Sequence, residues 1–132
     1  MNHPEIITVS NADGRLHVRF ADTVRMEDLH RLFEDIRLQA VAAKVTDLLI
    51  DASAYTRPLT MIQRLQMVLA FVARLHSFRV AGVVSETTLD PQRLGETMAR
   101  NRGANVKVFI SVAEAVAWLD EVSAKRSRAL AG

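Results

Sequence analysis

The chain has 132 residues, of which 49% are hydrophobic and none is cysteine, so it can bury one core but contains no disulfide or thiolate zinc site. A net charge of +2 and an aromatic content of 5% argue against a nucleic-acid-binding surface. No apolar run is long enough to span a membrane, and the amino terminus lacks the basic-then-apolar order of a secretory signal. We therefore expect a soluble, cytoplasmic protein with one domain at residues 1–124 and a polar tail at residues 125–132.

The first two elements are predicted to form a β-hairpin. Residues 6–10 and 15–21 are short β-like runs on either side of Asp13-Gly14, a pair that supplies the positive φ angles of a tight turn. Apolar and polar residues alternate along the second run, so we expect one face of the hairpin to be buried.

A helix and a buried strand are predicted to follow. Apolar residues recur at helical spacing from Met26 to Ala43, with Asp22 or Thr23 as the N-cap. Residues 47–51 form a continuous apolar run bracketed by acids, which is typical of a strand covered on both faces.

The rest of the chain repeats this alternation. Thr60, with Gln63 in a capping box, opens the second helix, and Asp90-Pro91 is expected to open a third helix that ends at Gly103. Residues 79–84 and 105–110 are predicted strands, and Ser111 caps the last helix. The predicted order is ββαβαβαβα, an α/β fold of about five strands and four helices.

Three segments resemble the SpoIIAA-like branch of the STAS family. They are the strand ending in aspartate at Leu48–Ser53, the small-residue strand at Val80–Val84, and the Glu-Ala-x-Ala-Trp-Leu sequence at Glu114–Leu119. The resemblance covers roughly residues 6–122 and implies a mixed sheet packed with helices. It also implies a regulatory or protein-interaction role and no enzymatic activity.

The phosphorylation signature of this family is missing. In anti-sigma-factor antagonists, an Asp-Ser-Ser-Gly sequence stands at the start of the second helix, and its first serine is phosphorylated. When Asp51 is placed on the family's strand-terminal aspartate, residues 59–62 occupy the signature and contain neither serine nor glycine. Thr60 offers a hydroxyl there, which we interpret as a helix cap, with phosphorylation as the alternative.

Polar residues are expected to gather at the carboxyl edge of the sheet. Asp51, Ser53, Tyr55, Thr60 and Ser85 form this candidate rim for a ligand or partner, because ligands of open α/β sheets bind beyond the carboxyl ends of the strands. Asp51 is expected to accept hydrogen bonds from the amides of the following turn.

The sequence supports no catalytic, metal or cofactor site. The candidate histidines are not near Ser53 in the predicted elements, since His17 lies mid-strand, His30 within the first helix and His76 at the far end of the second. The five glycines are scattered and form no phosphate-binding loop. We therefore predict no catalytic residue, no metal and no cofactor.

The second helix has an apolar arc of roughly 220°, wider than one core face requires. Met67 and Phe71 extend this arc beyond Arg64, and either a neighbouring element covers them or they form an exposed patch. We predict an interface at Arg64, Met67 and Phe71, most simply that of a homodimer.

Two functions remain open at this point. The favoured one is a protein-interaction module, homodimeric and with a possible protein partner, that acts through the second helix and the candidate rim. The alternative is a small-molecule or lipid carrier, since STAS domains resemble the SEC14 fold. In that case the apolar surplus would line a cavity for a small apolar ligand under the loop from Ala52 to Leu59.

Overall fold

The computed structural model describes residues 7–131 and contains five strands and four α-helices in the predicted order ββαβαβαβα. Ile6, where the first predicted strand begins, lies outside the described residues. The strands are β1 Ile7–Ala12, β2 Arg15–Phe20, β3 Asp47–Asp51, β4 Arg79–Val83 and β5 Asn105–Phe109. The helices are α1 Leu29–Ala43, α2 Met61–Leu75, α3 Leu94–Asn101 and α4 Val112–Ala131, with a short 3₁₀ helix at Met26–Asp28.

The five strands form one mixed sheet in the order β1-β2-β3-β4-β5. β1 pairs antiparallel with β2 through the predicted turn, in which Asp13 and Gly14 have φ angles of 57° and 73°. β2 to β5 are parallel, and each connection advances by one strand in the same direction. Right-handed crossovers of this kind place α1, α2 and α3 on one face of the sheet.

The two faces of the sheet carry cores of different size. The face under α1, α2 and α3 holds the larger cluster, which includes Val18, Ile36, Leu48, Leu75 and Val80. The face under α4 holds a small cluster made of Leu49, Ala81, Val83, Ala115 and Leu119. Every residue of β3 is buried, as predicted for a strand covered on both sides.

α4 is also held by ion pairs at its polar positions. Arg15 of β2 lies 2.7 Å from Asp120 of α4, and Asp47 of β3 lies 3.4 Å from Arg126 of α4 as well as 3.1 Å from Arg79 of β4. α4 ends at Ala131 and so includes most of the region predicted as a polar tail. Arg126 of that region contacts Asp47 of the sheet. Among the described residues, no helix is both long and apolar enough to cross a bilayer.

The start of α1 differs from the prediction. The expected cap at Asp22 or Thr23 was wrong, because the α-helix begins at Leu29 after the 3₁₀ helix and Asp28 occupies its N-cap position. Val24 is 3% exposed, so the chain enters the core before the helix starts.

The start of α3 was also predicted too early. Asp90 and Pro91 lie in a turn, and the helix begins at Leu94, whose amide donates to the Asp90 carboxylate over 2.8 Å. Arg93, the residue immediately before the helix, has a left-handed φ of 55° and donates to the carbonyl of Val108. The Asp90 carboxylate therefore accepts the amide of the first helical residue, although the N-cap position itself is occupied by Arg93.

α1 and α2 are joined at the surface through Glu34. Its carboxylate accepts hydrogen bonds from Arg37 and lies 3.8 Å from Arg74 of α2. The hydrogen bond from Arg37 is the main reason that the pKa of Glu34 is lowered from 4.5. The contribution of this hydrogen bond to the stability of the fold is present above pH 4.5 and is lost as the Glu34 carboxyl is protonated at lower pH.

The outer arc of α2 is oriented differently from the prediction. Met67 and Phe71 are half-buried against the monomer's own core, and the Phe71 and Phe33 rings pack edge to face with their centroids 5.8 Å apart. The apolar residues of α2 that face solvent lie at the other edge of the arc and are Met61, Ile62, Leu65 and Leu69. The apolar arc is as wide as expected. The sheet and α1 cover its Met67 side, so the exposed part of the arc is the side opposite to the predicted one.

We expect Phe71→Ala to lower the free energy of unfolding by about 3 kcal/mol, because the ring loses its packing against Phe33. Leu38→Ala on α1 is the matched control: Leu38 is 50% exposed, and its truncation should change stability by less than about 1 kcal/mol. Urea denaturation followed by circular dichroism measures both. Equal effects of the two substitutions would contradict this orientation of α2.

Candidate functional site

Asp51 shapes the loop that follows β3. One carboxylate oxygen accepts the Ser53 amide over 3.0 Å and the Ser53 hydroxyl over 2.6 Å, and the other lies 3.7 Å from Nε of Arg19. The hydrogen bond to the loop amide is the one predicted from the sequence. With Asp51 buried and Ser53 bonded to it, both side chains are engaged in holding the turn.

A second group of hydroxyls holds the middle of the same loop. The carbonyl of Tyr55 accepts hydrogen bonds from Ser85 over 3.1 Å and from Thr88 over 3.0 Å. Thr88 also lies 3.2 Å from the carbonyl of Arg57, and its single proton serves one of the two carbonyls at a time. The loop between β3 and α2 is thereby tied to the turn after β4.

Thr88 is the residue of this group that the sequence analysis missed. It is 7% exposed, whereas the neighbouring Thr87 is exposed. Both threonines offer the same chemistry, and which one faces inward depends on the tight turn in which the amides of Thr88 and Leu89 donate to the carbonyl of Ser85. No sequence signal distinguishes the two.

Tyr55 is a buried residue and not an exposed member of the rim. Its side chain lies under the guanidinium of Arg57, which sits 4.5 Å from the ring centroid. Arg57 also donates to the carbonyl of Asp22 over 2.7 Å. These contacts join the loop after β3 to the segment that precedes α1.

Thr60 caps α2 as predicted. Its hydroxyl accepts the Gln63 amide over 3.1 Å, and the Gln63 side chain accepts the Thr60 amide over 3.0 Å. Of the five predicted rim residues, the structure joins Asp51 to Ser53 and Tyr55 to Ser85. Within residues 7–131, Thr60 has no hydrogen bond to any of the other four.

The described histidines do not contact the rim hydroxyls. His76 lies 2.9 Å from the carbonyl of Val72, His30 is exposed on α1, and Nε2 of His17 is buried in β2 without a hydrogen-bond partner. His3 lies outside the described residues. Over residues 7–131, no group of three potential metal-ligating side chains occurs.

Arg64, placed at the interface by the sequence analysis, faces α3 instead. Its guanidinium donates to the carbonyl of Thr88 over 3.3 Å, and its side-chain stem passes close to Gly95. Arg64, Met67 and Phe71 are therefore all half-buried within the monomer.

An apolar cavity lies beneath the loop, between the sheet and the three helices on that face. Its volume is about 160 Å³, and its walls include Ala52, Tyr55, Leu59, Met67 and Phe71. An open groove of about 710 Å³ runs along the outside of the same region, past Arg57, Gln63 and Leu69. Tyr55 of the loop and Val24 and Met26 of the segment before α1 line both spaces.

No family model matches the sequence, and no curated protein matches it either. The structure is similar to the crystal structure of an anti-sigma factor antagonist from Mycobacterium paratuberculosis, with a TM-score of 0.55 and 18% sequence identity. The similarity covers 89% of this chain and 97% of that chain. The chain has the SpoIIAA-like, STAS-type fold. The resemblance drawn from the sequence is thus confirmed for the fold. In this STAS-type fold, Thr60 caps the start of α2.

We expect Thr88→Val to destabilise the protein by about 1 to 3 kcal/mol, because it removes the hydroxyl that Tyr55 and Arg57 share and leaves the Tyr55 carbonyl with Ser85 as its only side-chain donor in residues 7–131. Thr87→Val makes the same chemical change one residue away at an exposed position and should alter stability by less than about 0.5 kcal/mol. Thermal unfolding of both variants measures the difference. A Thr88→Val protein as stable as the control would show that the loop does not depend on this hydroxyl.

For Thr60, alanine should cost about 0.5 to 2 kcal/mol of stability, while serine, which keeps the capping oxygen, should be tolerated. Urea denaturation distinguishes the two variants. Mass spectrometry of the parent protein purified from its host tests the alternative. Phosphate on Thr60, together with an unchanged stability of Thr60→Ala, would replace the capping role by a phosphorylation role.

Proposed function

We propose that the chain is a non-enzymatic, STAS-like regulatory module that binds protein in the cytoplasm and forms a homodimer through the exposed apolar face of α2. That face consists of Met61, Ile62, Leu65 and Leu69, and its exposure is the observation that carries the proposal. The fold shared with an anti-sigma factor antagonist supports a role of this kind.

The exposed residues of α2 form one stripe. With about 100° per residue, the four positions fall within roughly one quarter to one third of the helix circumference over its first three turns. Ile62 is 71% exposed and Met61 is 56% exposed. Full burial of a side chain of this size is worth about 1.5 to 3 kcal/mol, so a partner that covers the stripe gains a large apolar contribution.

A second copy of the chain is the partner that suits this stripe best. The four residues carry no charge, and Gln63 and Gln66 beside them are also uncharged. When a two-fold axis brings the stripe against itself, no like charges meet, and each copy covers the other's apolar residues. The groove past Arg57 and Leu69 continues from the stripe and extends the surface open to a further protein.

The hydroxyl groups of the rim support a role without catalysis. Ser53 bonds to Asp51, and Ser85 bonds to Tyr55 and Thr88, so each hydroxyl has a structural partner and neither contacts a described histidine. A serine nucleophile needs a base in hydrogen-bond reach. The hydroxyl of Thr60 is likewise occupied by the cap, which supports a module that works without the family's phosphorylatable serine.

A small-molecule carrier is the second candidate, and the cavity under the loop favours it. Ligand pockets for drug-sized molecules usually measure about 300 to 1,000 Å³. The cavity measures about 160 Å³, which suits a much smaller molecule than a lipid with long acyl chains. The carrier proposal is therefore restricted to small apolar ligands.

The dimer is tested with the double variant Ile62→Glu/Leu69→Glu. Both side chains are solvent-exposed, so the fold should be retained while the apolar stripe gains charges that repel across a two-fold axis. Leu38→Glu/Val41→Glu on α1 is the matched control, since these residues are 50% and 57% exposed but lie outside the stripe. Sedimentation velocity should show a dimer for the parent and the control and a monomer for the α2 variant.

Circular dichroism checks that both double variants keep their helix content. A parent protein that sediments as a monomer across the whole concentration range would contradict self-association. A dimer that survives in the α2 variant would place the interface on another surface.

A further inference from the structure

We propose that the cavity under the loop from Ala52 to Leu59 is a binding site for a neutral apolar molecule about the size of one aromatic ring. This site deepens the second candidate function and does not depend on the dimer. The cavity lies on the inner side of α2, whereas the apolar stripe lies on its outer side.

The lining and the volume fix the class of ligand. Phe20, Phe33 and Phe71 contribute rings to the wall, and Met26 and Met67 contribute flexible thioethers that adapt to a ligand's shape. The volume is about 160 Å³, and apolar cavities of about 150 Å³ bind benzene and stay free of water. A single ring fits this space, and a long acyl chain does not.

Two glycines keep the space open. A Cβ atom added at Gly82 of β4 would lie 3.9 Å from its nearest neighbour, Val108, and one added at Gly95 of α3 would lie 3.5 Å from Cγ of Arg64. Both positions line the cavity and neither has a positive φ, unlike Gly14 and Gly103.

Alanine would therefore fit at both positions without strain. Glycine inside a strand or helix costs about 0.5 to 1 kcal/mol relative to alanine. Backbone geometry and close approach thus give no reason for glycine at Gly82 or Gly95. What the two glycines share is the cavity, whose volume any side chain at these positions would reduce.

The charged side chains at the cavity wall already have hydrogen-bond partners within the protein, which favours a neutral ligand. Arg93 lies 3.0 Å from the carboxylate of Glu96, and Asp90 accepts the amide of Leu94. Arg64 donates to the carbonyl of Thr88. An ionised ligand group would have to compete with these interactions and give up its hydration in an apolar space.

The experiment titrates benzene into the full-length protein and follows the methyl signals of the methionines by NMR and the melting temperature by circular dichroism. We expect saturable shifts of Met26 and Met67 and a melting temperature that rises with benzene concentration, since a ligand that binds only the folded state stabilises it. Benzoate has the same ring with a charge and should bind at least tenfold more weakly. Equal binding of benzene and benzoate would overturn the neutral-ligand proposal, and absence of saturable benzene shifts would overturn the site.

Gly82→Val places a side chain in the cavity from the sheet side, and valine is a residue that strands favour. It should abolish the benzene shifts, whereas Ala12→Val, which places the same side chain at an exposed position of β1, should leave them unchanged. Benzene binding to Gly82→Val with the parent's affinity would place the ligand elsewhere and refute the proposal. If Gly82→Val does not fold, Gly82→Ala decides in the same way, with at least a threefold loss of affinity expected.

The same titration on Ile62→Glu/Leu69→Glu separates this site from the dimer. Benzene binding to that variant supports the cavity site whatever the oligomeric state of the parent. Loss of binding in that variant, with its fold retained, would show that the cavity is not an independent site and would overturn the proposal.

Discussion

Three parallel connections that advance in the same direction determine the rest of this structure. Because right-handed crossovers put α1, α2 and α3 on one face, only α4 remains to cover the other. The three-helix face buries most of the core, and the loop from β3 to α2 closes over the carboxyl ends of its strands. The cavity, the loop and α2 all lie on this more heavily covered face. On the opposite face, the Arg15–Asp120 and Asp47–Arg126 ion pairs supplement a small apolar cluster.

Much of this architecture could be predicted from local patterns. The order of elements, the Asp13-Gly14 turn and the cap at Thr60 each depend on residues close in sequence, and each is confirmed. The errors have a different origin. The start of α1 follows the buried Val24 and a 3₁₀ helix that no side-chain cap marks, and the choice of Thr88 over Thr87 as the buried hydroxyl depends on a turn that packs against a distant loop.

The orientation of α2 shows the same limit of sequence reasoning. Helical spacing gives the width of an apolar arc, but not which part of it faces the sheet. Phe71 contacts Phe33, while Ile62 at the opposite edge lies in water, and only tertiary packing distinguishes these two edges. An arc wider than one face therefore indicates that a helix has two contact surfaces. In this protein the inner one lines a cavity, and the outer one is the stripe for which we propose a second copy.

The loop between β3 and α2 connects these two surfaces physically. Tyr55 and Met26 line the cavity on one side and the open groove on the other, and the groove reaches Leu69 of the apolar stripe. Ser85 and Thr88 both donate to the Tyr55 carbonyl, so the turn after β4 fixes the position of the loop between the cavity and the groove.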